Sequence, residues 1–242
     1  MNIFQLTKFN TLNTIKNLFT YIGLILVLII PVTYVITQDQ HDKKVSGDMI
    51  LTLGSWLFAF WGVMLIIATL VRDVSQGTIQ LYLNSYKNRI KYFIAQFIST
   101  IINGILVFIS LAAYTLIMQS MVSGKNVSSE MLWKVFGLYI LLFLFYGLFL
   151  LLITLLVKNS ALVFSVGVFL MLIIPIATNL VPLIPEYGDE VKDVLKYIPF
   201  NFLINHIWQG DFKLNNWQIF TSIASIIVLF IIDLLTIVKK DY

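Results

Sequence analysis

The sequence predicts an all-α membrane protein. Its six transmembrane helices follow an N-terminal interfacial helix, with a long cytoplasmic connection after the second span and two short outer helices before the sixth. Three observations predict this. First, 59% of the 242 residues are hydrophobic and only 12% are charged, against about 45–50% apolar and about 25% charged in soluble domains. One water-soluble core could not hide that excess, so a soluble enzyme, a disordered chain and a coiled coil are excluded. Second, the apolar residues gather in six runs of about 20, the length that crosses a bilayer as a helix. Third, lysine and arginine crowd the shorter connections on one side. The mean hydropathy is +0.91 and the pI about 9.1. In a membrane chain that basic balance reflects loop bias more than nucleic-acid binding.

The predicted spans are Leu18–Ile36, Ile50–Val71, Phe93–Met118, Val135–Val157, Ala161–Val181 and Trp217–Val238, all in one domain over residues 1–242. Each must be helical, because lipid offers no partner to backbone N–H and C=O groups. The first run lacks a small-residue cleavage site and is followed by further spans, so it reads as a span and not a cleaved leader. One side of the membrane carries nine Lys/Arg and two acids; the other carries seven Lys and nine acids. The first side is placed in the cytoplasm, with both termini. Pro31 and Pro175 fall inside spans, where each is either a packing kink or a hinge.

Outside the spans, Asn2–Asn17 carries Ile3, Leu6, Phe9, Leu12 and Ile15 at every third position. That oblique stripe reads as an interfacial helix or as a frayed polar leader. On the outer side, Val191, Val194, Leu195 and Ile198 recur at i, i+3, i+4 and i+7, so Asp189–Ile198 reads as an amphipathic helix. Pro199 divides it from Phe200–Gln209, which ends at Gly210. Asn205 and His206 on this second helix either line an exit path or anchor the interface. Asp233 is the one carboxylate well inside a span; it either pairs with a cation such as Arg72 or serves ion or substrate coupling. Trp56 and Trp61, five residues apart in the second span, project about 140° from each other. At most one of them can face a central pathway.

Much chemistry is missing. Cysteine is absent and only two histidines occur, His41 and His206, so thiol, disulfide and His-built metal sites are excluded or nearly so. The only Gly-Lys pair, Gly124-Lys125, has Gln119 where a P-loop needs its first glycine and Asn126 where it needs Ser or Thr. No second carboxylate joins Asp233 for intramembrane acid–base work. The chain is expected not to be an enzyme and to bind no cofactor itself.

The segment Arg72–Arg89 carries the most information. Asp73 is followed by Gly77-Thr78, by Ile79, Leu81, Tyr82 and Leu83, then by Ser85, Tyr86 and Arg89. It is basic at both ends, longer than a connector requires, and interleaves apolar and polar residues like a docking surface. Leu81, Tyr82 and Ser85 stand at helical neighbour spacing. This pattern resembles the coupling region of ABC-2 type transporter permeases, in which an acid, a Gly-Thr pair, apolar residues, a Ser and an Arg follow one another as the chain re-enters the membrane. Here Asp73 shortens the usual glutamate, Tyr86 stands where proline is common, and Gln96 stands where lysine often follows. In outline the resemblance covers the whole chain, and it extends to the small peptide-export and immunity permeases of Gram-positive bacteria, the phenol-soluble modulin exporter type. It implies a permease subunit that moves amphipathic peptides. A separate ABC ATPase would supply ATP and Mg and dock on Asp73, Gly77, Thr78, Leu81, Tyr82, Ser85, Tyr86 and Arg89. The other implied partners are a second copy or a paralogue and membrane lipid. Trp56, Trp61, Asn205 and His206 are the candidates for the substrate path. The alternative is an ATP-independent immunity or scaffold protein that sequesters a peptide.

Overall fold

The computed structural model describes residues 2–41, 44–122, 124–157, 159–183 and 188–239, without the side chains of Asp39, Gln40, Gln80, Leu81, Pro182 and Asp189. The helices are α1 (Ile3–Lys16), α2 (Leu18–Gln40), α3 (Gly47–Ser75), α4 (Thr78–Tyr82), α5 (Tyr86–Met121), α6 (Ser129–Val157), α7 (Ser160–Val168), α8 (Ile174–Leu180), α9 (Gly188–Leu195), α10 (Pro199–Gln209) and α11 (Asn216–Lys239). A π-helical turn, Phe169–Ile173, joins α7 to α8. No strand occurs among the described residues. Six helical stretches are long and apolar enough to cross a membrane: α2, α3, α5, α6, α7–α8 and α11.

The expected spans are all present, but three extend well beyond the apolar runs. Helix α5 starts at Tyr86 and not Phe93, so Tyr86–Lys91 forms its first polar turns. A hydropathy reading stops where side chains turn polar, whereas the backbone goes on satisfying its own N–H and C=O groups. Three buried threonine hydroxyls within the spans follow the same rule. Thr100, Thr115 and Thr154 each donate to the carbonyl four residues back, at 3.1, 2.9 and 2.7 Å, so none reaches the apolar interior unpaired.

Helix α3 is the hub, packed against α2, α5, α6, α7 and α10. Close approach there depends on glycine. The Phe143 ring of α6 is buried over two of them. A Cβ on Gly62 of α3 would lie 2.4 Å from Phe143 Cζ, and one on Gly104 of α5 would lie 3.0 Å from Cδ2. Helix α10 does not rest on the surface. Asn201, Phe202, Leu203, Ile204, Asn205 and Ile207 are buried, and Phe200 sits edge-on between Phe145 and Phe149, each 4.6 Å away. Tyr146 of α6 donates to the Phe200 carbonyl at 2.8 Å. Helix α9, by contrast, leaves Val191 and Val194 exposed; it ends at Leu195, short of the expected Ile198, and Tyr197 and Ile198 stand exposed in the turn that follows.

The two prolines have different outcomes. Helix α2 runs through Pro31 unbroken. Before Pro175 the chain widens into the π-helical turn. Pro175 has no N–H to offer the carbonyl of Met171, four residues back. That carbonyl accepts instead from Trp56 Nε1 of α3, at 3.3 Å.

The glycine seat yields a prediction. Gly62→Ala should lower stability by about 1–3 kcal/mol, because the buried Phe143 ring has to shift. The penalty should shrink in a Phe143→Leu background, since residues in contact do not act additively. Thermal unfolding of the four proteins in detergent gives both numbers.

Candidate coupling surface and the polar knot beneath it

Helix α3 ends in a tight turn. Gln76 and Gly77 donate their N–H groups to Arg72 and Val74 carbonyls at 3.0 and 3.1 Å. Gly77 then takes φ +66°, a left-handed conformation that costs glycine least. Thr78 closes the turn through Oγ1, which donates to the Asp73 carbonyl at 3.3 Å. The Gly-Thr pair is therefore a turn-former that reverses the chain into α4. Helix α4 spans only five residues and stops where Leu83 N donates to Ile79 O at 3.0 Å. Leu81, Tyr82 and Ser85 consequently do not share a helix face as their spacing predicted. Ser85 lies in the next turn, extended, as the N-cap of α5, and its side chain makes no capping bond.

The segment is held from below. Ile79 and Leu83 are buried. Tyr82 is half-buried and stacks on Tyr92, with centroids 5.7 Å apart and planes at 21°. Arg89 donates from Nε to the Leu83 carbonyl at 2.9 Å and from Nη1 to the Val238 carbonyl at 2.8 Å, tying the turn to the last turns of α11. What remains outward is Ser75, Gln76, Gly77, Asn84, Ser85, Tyr86 and Lys87, with Tyr86 62% exposed. The Leu81 side chain lies outside the described residues.

Asp73 points inward. It is 1% exposed and cannot itself meet a docking partner. Its Oδ1 accepts from Arg72 Nη2 and Nε at 2.9 and 3.1 Å. Its Oδ2 accepts from Tyr92 Oη at 3.0 Å and Gln96 Nε2 at 2.9 Å. Asn10 of α1 completes the knot. Its Oδ1 accepts from Arg72 Nη2 at 2.6 Å, and its Nδ2 donates to Ser99 Oγ at 3.2 Å and to Gln96 Oε1 at 3.4 Å. The Arg72 guanidinium also lies 5.0 Å from the Phe9 ring centroid. Because Arg72 already balances the carboxylate, a neutral Gln96 suffices where a second cation would be surplus.

Sequence reasoning missed Asn10, Tyr92 and Ser99. A signal was present: Tyr92, Gln96, Ser99 and Asn103 recur at i, i+4, i+7 and i+11, a polar stripe on one face of an apolar helix, and all four are buried. Helix α1 carries the matching reversal. Thr7, Asn10 and Thr14 are buried while Phe9, Leu12 and Ile15 are exposed, so its polar side meets the bundle and most of its apolar stripe faces out.

The expected pairing of Asp233 with Arg72 is not there. Arg72 is engaged by Asp73 and Asn10, while Asp233 is fully buried and neither carboxyl oxygen has a hydrogen-bond partner among the described residues. The four substrate-path candidates are not gathered into one site. Trp56 caps Met171 and meets Trp208 edge-on at 4.5 Å. Trp61 donates to the Thr20 carbonyl at 3.2 Å and fixes α2 to α3. Asn205 donates to the Asn201 carbonyl and Oδ1 at 2.9 and 2.8 Å, and Asn201 in turn bonds Thr178 of α8. His206 contacts the Asp211 carbonyl at 2.6 Å and Gln218 Oε1 at 3.2 Å, bracing the connector into α11. On α9, a 2.8 Å bond from Lys196 to Asp193 holds the Asp193 carboxyl below its usual range.

Six membrane-length helical stretches, one of them the glycine-seated hub, with a short helix braced at one end, define a multi-pass membrane protein. The family model for ABC-2 family transporter proteins matches residues 2–238, and the chain belongs to that family, as a transmembrane permease subunit of an ABC transporter. No curated protein matches it.

The knot can be tested by removing one partner. Asp73→Ala leaves the Arg72 guanidinium buried without its counter-charge and should cost about 3–5 kcal/mol. Arg72→Met with Asp73→Leu, which removes both charges, should recover much of that loss in thermal unfolding.

Proposed function

We propose that the chain is one half of the membrane part of an ATP-driven exporter of amphipathic peptides, paired with a second copy or a paralogue. A separate ABC ATPase, holding ATP and Mg, docks beneath α4. The observation that carries this reading is Tyr86, a large aromatic standing exposed at the head of α5 on a segment that is otherwise anchored. A fixed aromatic beside a polar rim is the usual anchor of a protein interface. Docking falls to the outward residues Gly77, Ser85 and Tyr86, with Thr78 shaping the turn. Asp73, Tyr82 and Arg89 position them from inside. The ATPase side is cytoplasmic, as the Lys/Arg bias implies, and both termini share it. Peptide cargo is supported by the broad apolar faces that α2 and α9 leave uncovered. Adaptable apolar surfaces suit varied amphipathic ligands better than they suit sugars.

Tyr86→Ala should leave the thermal midpoint unchanged and weaken ATPase binding by about 2 kcal/mol or more, read by co-purification. In cells it should trap amphipathic peptides inside, as deletion of the permease does. Normal binding and export by this variant would remove α4 and Tyr86 from the coupling role.

Orientation is checked separately. The chain has no cysteine, so single substitutions report cleanly. In intact cells, Ser75→Cys should resist a membrane-impermeant maleimide and Glu190→Cys should react. The reverse pattern would invert the topology.

A further inference from the structure

Among the described glycines inside helices, Gly137 of α6 stands apart. Gly23, Gly47, Gly54, Gly62, Gly104, Gly147 and Gly167 each have a neighbour that an added Cβ would crowd, whereas nothing lies within 4 Å of a Cβ at Gly137. Glycine weakens a helix relative to alanine, and no packed helix accounts for this one. The open space belongs to a cleft of about 490 Å³ between α6 and the segment leading into α11. Its volume is that of a small-ligand site. Phe136, Leu141, Phe212, Leu214 and Ile219 wall it. From Trp133 to Leu141 it follows α6, a helix of membrane-spanning length, for about 12 Å at 1.5 Å per residue. Its mouth is polar and carries Lys134 and Lys213 beside the acids Glu130 and Asp211. Lys134 is paired with Glu130 at 2.5 Å. Among the described residues the Lys213 ammonium makes no ion pair within 4 Å, though it lies near enough to the Glu130 carboxylate to help hold that group below its usual range. Trp133, 70% exposed, stands beside the mouth, as tryptophans do at membrane interfaces.

We propose that this cleft holds one phospholipid, with an acyl chain laid over Gly137 and its phosphate at Lys213 and Lys134. An extended peptide would leave its amides unpaired against apolar walls; an acyl chain leaves nothing unpaired. The direction of the groove, from interface to hydrocarbon, is that of a lipid tail.

The test titrates delipidated protein in detergent with dioleoylphosphatidylglycerol and with dioleoylglycerol, which has the same chains and no phosphate. Bound lipid is counted by native mass spectrometry. Wild type should hold one phosphatidylglycerol at least about tenfold more tightly than dioleoylglycerol, a gap of about 1.4 kcal/mol. Gly137→Leu should keep the wild-type thermal midpoint, because its side chain enters open space, and lose about tenfold or more in phosphatidylglycerol affinity. Lys213→Gln should weaken phosphatidylglycerol alone. Equal affinity of wild type for the two lipids overturns the proposal, as does undiminished lipid binding by Gly137→Leu. If Gly137→Leu instead splits a dimer while lipid binding persists, the groove belongs to a second copy and the lipid assignment falls.

Discussion

A carboxylate and a guanidinium buried where three helices meet set the terms for one whole end of this molecule. Taking two charges out of water costs several kcal/mol each, and the cost is recovered only if every oxygen and N–H finds good geometry. Asp73 meets that demand with partners from α3 and α5; Arg72 meets it through Nε and Nη2, with partners on α3 and α1, while its Nη1 is buried without one. None of these helices can slide along another without breaking a charged hydrogen bond. The result is a rigid platform at the end of α3, from which the Gly77 turn projects α4. The outward position of Tyr86 follows from that platform and not from any property of α4 itself, which at five residues is too short to hold its own shape.

The opposite end is organised by different physics. There α10 is inserted among apolar walls, and its anchors are aromatic edges and single hydrogen bonds to main-chain carbonyls. Trp56, Trp61 and Tyr146 act alike: a large ring supplies buried area while one N–H or O–H satisfies a carbonyl at a proline, at the start of a span or at the head of a helix. In a bundle where lipid competes equally for apolar surface, such polar tips and close glycine contacts, more than hydrophobicity, select one packing over others. Phe143 on Gly62 and Gly104 is the clearest case.

The number of spans and the short helices after the fifth were legible in the residues, because each rests on a local rule: run length or 3.6-residue periodicity. The turn at Gly77-Thr78 was not, although the glycine that permits it stood in the motif. The inward role of Asp73 was not, since an acid beside an arginine at a helix end also describes an exposed pair. Only the stripe Tyr92, Gln96, Ser99, Asn103, read together with Asn10 some 80 residues earlier, encloses it. Trp56 and Trp61 were legible as aromatics in a span but not as carbonyl caps, because each partner lies in a different helix. Asp233 illustrates the reverse: the sequence marked it as unusual, and the structure removes the cation expected to neutralise it, with no other partner among the described residues.

The contact of Arg89 with both Leu83 and Val238 makes this end of the bundle a closed linkage. Helix α3 feeds the turn through Thr78 and Asp73, while Arg89 clamps the same turn to the end of α11, the most peripheral span. A load applied at the head of α5 therefore cannot be absorbed by bending the short segment alone. It divides between the central hub and the outer rim, so that the innermost and outermost helices are obliged to move in step.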